Sequence, residues 1–194
     1  GQFRYRNYFG PHSHWTRQTV LTQEGILVVG DRYDPGKDVN GYVAGPCWLL
    51  RPEADWETDE RPDRGEVKHD HHWIDAPAWD HAWWQTQKKR VLVWMHPSKD
   101  QTIGVTAHDT TPDISRPLGY EYYPTQNVHA KTTLKAGQTA VFLSVLVPFD
   151  QGQAAAETAG KIETNVDKAG TCVAKVGSTT VTVVPSGAWT VTRN

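Results

Sequence analysis

Turn-forming clusters recur at roughly 8–12 residue spacing along most of this chain, the rhythm of an all-β sandwich. QEG, DPGKDVNG, DKAG, KVGS and PSGA are among them. TRQTVLTQEGILVVGDRYD reads as two β-rich arms about the QEG turn, a hairpin. GYVAGPCWLL is another short run, KKRVLVWMHP is a strand closed by Pro97, and QTIGVTAHD follows it. AKTTLKAGQTAVFLSVLVPF alternates at first and then becomes continuously apolar. The segment AVFLSVLVPF is too short for a membrane span and predicts a central strand buried on both faces. Three Val/Thr-rich runs, GTCVAKV, STTVTVV and AWTVTRN, close the chain. The expected fold class is therefore all-β: an antiparallel β-sandwich, jelly-roll or super-sandwich in form.

Two segments depart from the rhythm. DQGQAAAETAGKIE favours helix through its alanines and Glu157, but Gly152 and Gly160 confine it to one or two turns. Residues 51–87 are acidic at first and then rich in Trp and His. Five of the nine tryptophans (Trp56, Trp73, Trp79, Trp83 and Trp84) and four of the nine histidines (His69, His71, His72 and His81) fall there. So many large aromatics argue against disorder, and a long ordered insertion or a pair of loops is expected. The 194 residues suit one domain, 1–194, carrying that insertion. The opening GQFRYRNYFG lacks the pattern of a signal peptide and reads as mid-domain sequence, so a larger protein with earlier residues is expected. A net charge of −2, with no basic patch, gives no nucleic-acid footprint, and no apolar run reaches the roughly 18 residues of a membrane helix. Cys47 and Cys172 are compatible with a disulfide or with two buried thiols, the latter being favoured.

His12 and His14 stand one residue apart at the head of the first hairpin arm, and Asp31 ends the second. In an extended segment, residues i and i+2 share a face, so both imidazoles can address one cavity. A hairpin turning at Glu24–Gly25 is expected to return Asp31 towards His14, giving two ligands where zinc needs three or four. HDHHW offers the next donor, His72, with His71 and His81 as alternatives. The competing reading is two surface histidines of no consequence. A cupin also carries H-x-H, but its following glutamate is replaced here by Gln18 and Thr19, and Glu24 comes too late.

HSHWTRQTVLTQEGILVVGD resembles the carboxy-terminal β-sandwich domain of the heparinase II/III-like polysaccharide lyases, a group with alginate-lyase relatives. Those domains carry an H-x-H element, two strands about a short turn and an Asp at the end of the second. AVFLSVLVPF followed by Val/Thr strands resembles their ending too. The resemblance implies a catalytic, cleft-facing role for His12, opposite a helical toroid domain that brings the other catalytic groups, notably a Tyr. It implies a structural zinc on His14, Asp31 and a later His. No His stands near GPCWLL, where the family's third ligand is expected, which leaves His72 and its neighbours.

The implied reaction is β-elimination at a uronic acid. A base removes the proton at C5, the adjacent carboxylate is neutralised, and an acid protonates the leaving glycosidic oxygen. The partners implied are an acidic polysaccharide or other glycan and the toroid, at an extracellular or periplasmic location. The isolated chain has no segment able to form a toroid and is expected to be inactive as a lyase. Within the insertion, Trp73, Trp79, Trp83 and Trp84 are candidates for stacking on sugar rings, with core or interface packing as the alternative. Two other classes stay open: a free-standing carbohydrate-binding module, and a protein-interaction module built on the Trp-rich insertion.

Overall fold

A computed structural model describes residues 2–6, 14–35, 42–50, 66–68, 73–78, 89–98, 102–108, 125–135, 137–150, 152–185 and 187–193, with side chains for 14–35, 45–46, 91–98, 132–135, 137–150, 152–185 and 187–193. The strands are β1 (Gln2–Arg6), β2 (His14–Leu21), β3 (Leu27–Asp34), β4 (Tyr42–Ala44), β5 (Cys47–Leu50), β6 (Glu66–Lys68), β7 (Trp73–Ala78), β8 (Lys89–Met95), β9 (Thr102–His108), β10 (Thr125–Leu134), β11 (Ala140–Asp150), β12 (Ile162–Val166), β13 (Cys172–Val176), β14 (Thr179–Val183) and β15 (Trp189–Arg193), with one helix, α1 (Ala155–Ala159). They form three antiparallel sheets. A six-stranded sheet runs β1-β2-β3-β11-β8-β7, a five-stranded sheet joins β4, β5, β10, β9 and β6, and the tail is a four-stranded meander, β12-β13-β14-β15.

The apolar run seen in the sequence is β11, and it lies inside the six-stranded sheet with β3 on one side and β8 on the other. Successive side chains leave a strand on opposite faces. Val141, Leu143, Val145, Val147 and Phe149 point to a core shared with Val28, Leu92, Ile162, Cys172, Ala174, Val181 and Val183. Ala140, Phe142 and Leu146 point the other way, to a second core with Tyr33, Val93, Met95 and Leu134. The first core joins the six-stranded sheet to the tail sheet, and Leu134 of β10 enters the second. A strand with no solvent face cannot alternate apolar and polar residues, which explains the continuous run. Each fully buried Val, Leu or Phe here contributes about 1.5–3 kcal/mol of transfer free energy.

Two residues that look wrong for strands fit their places. Gly30 sits in β3 facing the tail sheet, where an added Cβ would lie 3.0 Å from Val183 Cγ1 and 3.2 Å from Pro185 Cγ. Only a residue without a side chain lets the two layers approach this closely. Pro148 stands in β11 beyond Leu146, the last residue of that strand to pair with β3, so its missing N–H interrupts no bond on that side.

The antiparallel sandwich expected from the sequence is therefore present, with three sheets and two cores among the described residues. Some local expectations change. GYVAGPCWLL forms two strands, β4 and β5, both paired with β10. The stretch 51–87 contains β6 and β7 as well as segments outside the described residues, and Pro77 is tolerated because β7 lies at the edge of its sheet. The helical segment is a single short helix, and its end at Ile162–Glu163 belongs to β12 instead. Cys172 is a free, buried thiol; the Cys47 side chain lies outside the described residues.

Candidate functional site

The first hairpin turns through Thr22–Ile26. Gly25 adopts φ +83°, and the turn closes with Thr22 N–H donating to Ile26 O at 2.9 Å and Gly25 N–H to Thr22 O at 3.1 Å. That connection sets the register: Leu21 faces Leu27, Arg17 faces Asp31, and His14 faces Asp34. Residues 14 and 17 lie on opposite faces of β2, so His14 and Asp31 are on opposite faces of the sheet. The expected convergence of these two residues on one metal is thus corrected. The hairpin is present, but its five-residue turn pairs His14 with Asp34 and leaves Asp31 three positions nearer the turn, on the other face.

Asp31 has other partners. Arg17 donates to both carboxylate oxygens, Nε to Oδ1 at 2.7 Å and Nη2 to Oδ2 at 2.9 Å, and Trp15 Nε1 donates to Oδ1 at 3.0 Å. Phe142 stands opposite Asp31 on β11, and Trp15 stacks on Phe142 at 6.5 Å and lies 5.3 Å from Tyr33. Burial among these rings pushes the Asp31 carboxyl up, while Arg17 and Trp15 pull it back down. Both oxygens accept hydrogen bonds from these neighbours. His14 is exposed at the start of β2. Among the described residues no group of three or more His, Cys, Asp or Glu is placed to hold a metal ion. His12, His71, His72, His81, Trp79, Trp83 and Trp84 lie outside the described residues. Trp73 opens β7 at the sheet edge, in register with Trp94, with its side chain outside the described set.

The other face of the same sheet end holds a different arrangement. Thr16 faces Arg32 across the hairpin, and Arg32 faces Val141 of β11. Arg32 therefore shares a face with His14 and Asp34. It borders a cleft of about 800 Å³ between two turns, Lys135–Thr139 before β11 and Asp167–Gly170 before β13. Lys135 and Lys168 join Arg32 in its lining, with Ser98, Thr133 and Gln138 supplying polar groups. The turns share the tripeptide Lys-Ala-Gly, at 135–137 and 168–170, and Gly137 and Gly170 have φ of +75° and +87°. Gly170 packs over Val141, and the Arg32 guanidinium passes beside it. The single carboxylate of the lining, Asp167, accepts the Thr171 N–H at 2.8 Å, and the amides of its own turn hold it below the usual carboxylate range. Sequence reasoning read these turns as connections only. The repeated Lys-Ala-Gly was the available signal, but only the fold shows that the two copies face each other.

No family model and no curated protein matches the sequence. Among solved structures, heparan sulfate lyase HepC of Pedobacter heparinus matches 96% of this chain with a TM-score of 0.60 at 13% identity, and a mutant of the same lyase matches 95% at 0.59 and 13%. The chain resembles a single domain of that protein and spans 26% of its length.

Proposed function

We propose that this chain is the β-sandwich domain of a polysaccharide lyase that cleaves a uronate-bearing glycan by β-elimination. The observation that carries the reading is the match of nearly the whole chain to about a quarter of a heparan sulfate lyase. In this reading the rest of the enzyme is a helical toroid that packs against the end of the sandwich where β2 begins. His12 enters the shared cleft from there. An imidazole suits the work because it exchanges a proton near neutrality and, when protonated, offsets the negative charge that builds beside the substrate carboxylate. The toroid supplies the remaining acid, base and carboxylate-neutralising groups. Such an enzyme meets its polymer outside the cell or in a periplasm.

The Asp31–Arg17–Trp15 cluster has a supporting role. It locks the register of the hairpin whose first strand begins at His14. The test uses the longer protein with its toroid, incubated with heparan sulfate and other uronate polymers, and reads the ultraviolet absorbance of the unsaturated uronate product. Product formation that drops at least a hundredfold in His12→Ala, with unchanged melting, is expected. Absence of unsaturated product from every uronate polymer would sink the lyase reading, and full activity in His12→Ala would remove that residue from the reaction.

A further inference from the structure

We propose that the cleft between the Lys135–Thr139 and Asp167–Gly170 turns is a binding site for an acidic saccharide, one bearing sulfate or carboxylate groups. The saccharide part of this inference rests on the lyase reading; the charge part stands on the cleft itself. Among the described lining residues are three cations, Arg32, Lys135 and Lys168, and one carboxylate, Asp167. That carboxylate is turned onto the backbone of its own loop, where the Thr171 N–H occupies it. It therefore shapes the turn and leaves the three cations without an ion pair to it. Asp34 lies one same-face position beyond Arg32, half-buried at the end of β3 and outside the lining, so the described lining carries an excess of positive charge.

The remaining chemistry narrows the ligand. Hydroxyl and amide groups of Ser98, Thr133 and Gln138 offer hydrogen bonds of the kind sugar hydroxyls take. No aromatic ring is present among the described lining residues, so recognition by ring stacking is not what this cleft offers. Its volume of about 800 Å³ falls within the range of roughly 300–1,000 Å³ typical of ligand clefts. The guanidinium of Arg32, close to the Gly170 turn, gives a planar fork for a sulfate or carboxylate, while the exposed Lys135 and Lys168 supply point charges. A chain of alternating sugar and acid groups fits this pattern better than a lone anion, because the cations lie on three separate elements.

Isothermal titration of this chain at low ionic strength tests the site, with three probes: a heparan sulfate tetrasaccharide, cellotetraose and sodium sulfate. Only the tetrasaccharide is expected to bind, more weakly as salt is added. Its affinity is expected to fall about tenfold in Arg32→Gln and about tenfold in the double variant Lys135→Gln/Lys168→Gln. Lys175→Gln, on an exposed lysine of β13 paired with Glu163 away from the cleft, is expected to bind as the parent does. The exposed double variant guards against a folding defect in Arg32→Gln. Failure of the tetrasaccharide to bind, equal binding of cellotetraose, equal binding of sulfate alone, or unchanged affinity in both cleft variants would each overturn the proposal. The lyase reading fails separately: cleft-dependent binding with no unsaturated product from the longer protein keeps this site and removes that activity.

Discussion

Replacing Asp31 by alanine separates an internal ion pair from a metal ligand, because the two roles burden different neighbours. The substitution removes three hydrogen bonds at 2.7–3.0 Å and leaves two donors, the Arg17 guanidinium and Trp15 Nε1, facing a void beside Phe142. Breaking a buried pair by deleting one partner costs about 3–5 kcal/mol. The Arg17 side chain is 27% exposed while that of Asp31 is 1% exposed, so water can reach the cation and the lower end applies, about 3 kcal/mol. At about 2–4 °C per kcal/mol for a chain of this size, melting should fall by about 6–12 °C in calorimetry. His14→Ala, at an exposed position, should stay within about 0.5 kcal/mol of the parent, and excess chelator should leave the parent's melting unchanged. The reasoning is refuted if Asp31→Ala melts with the parent, or if His14→Ala and chelation each reproduce its loss.

The same pair carries a pH signature. Burial raises the Asp31 pKa in the folded state above its unfolded value, with Arg17 and Trp15 opposing the rise. A carboxyl raised on folding binds protons more tightly in the native state. Its contribution is therefore most favourable in acid and declines as pH rises from the ordinary aspartate range through the folded value. Arg17→Met takes away one of the opposing groups and pushes that pKa higher. Its deficit relative to the parent should be smallest in acid and grow towards neutrality, as read by denaturant titration across that window.

Other consequences are simpler to check. Gly30→Ala sets a methyl 3.0 Å from Val183 and 3.2 Å from Pro185, and should cost about 1–3 kcal/mol by denaturant unfolding; a neutral outcome would mean the sheets part easily. The Cys172 thiol, pushed up to about 12 chiefly by burial, should resist iodoacetamide at pH 8 in the native protein and label only on unfolding, followed by peptide mass mapping to separate it from Cys47. Thr164→Val removes the hydroxyl that accepts from Trp94 Nε1 at 3.0 Å and meets His96 Nδ1 at 3.0 Å, and should cost about 1 kcal/mol while shifting Trp fluorescence. No spectral change would place Trp94 in an environment other than this one.

Strand positions were legible where local chemistry decided them. Gly25 in QEG marked the first turn, the unbroken apolar run marked β11, and the Val/Thr runs marked the tail meander. Partnership was harder, because it depends on register. One sequence, HSHWTRQTVLTQEGILVVGD, is compatible with several turn lengths, and a shift of one residue moves every side chain to the other face. That is why Asp31 belongs with Arg17 rather than with His14. The layering was hidden for a related reason. β12 follows a helical segment so closely that its first two residues, Ile162 and Glu163, read as the end of that segment, and without β12 the tail appears one strand short. The cationic cleft was least legible of all, since Arg32 of β3, Lys135 before β11 and Lys168 before β13 are far apart in the chain and come together only in the fold.

The place of β11 also sets an order of events during synthesis. The tail strands pair only with their neighbours in the chain, so they assemble from contacts that are close in sequence. The first hairpin, β2–β3, is made early yet has its inner edge against β11, and β8 needs the same strand. Until the ribosome has delivered Ala140–Asp150, both carry an unfilled hydrogen-bonding edge on apolar strands, the kind of surface that recruits other chains. A nascent chain arrested before Ala140 is thus the most aggregation-prone species this sequence can produce, and release of a dozen more residues is what quenches it.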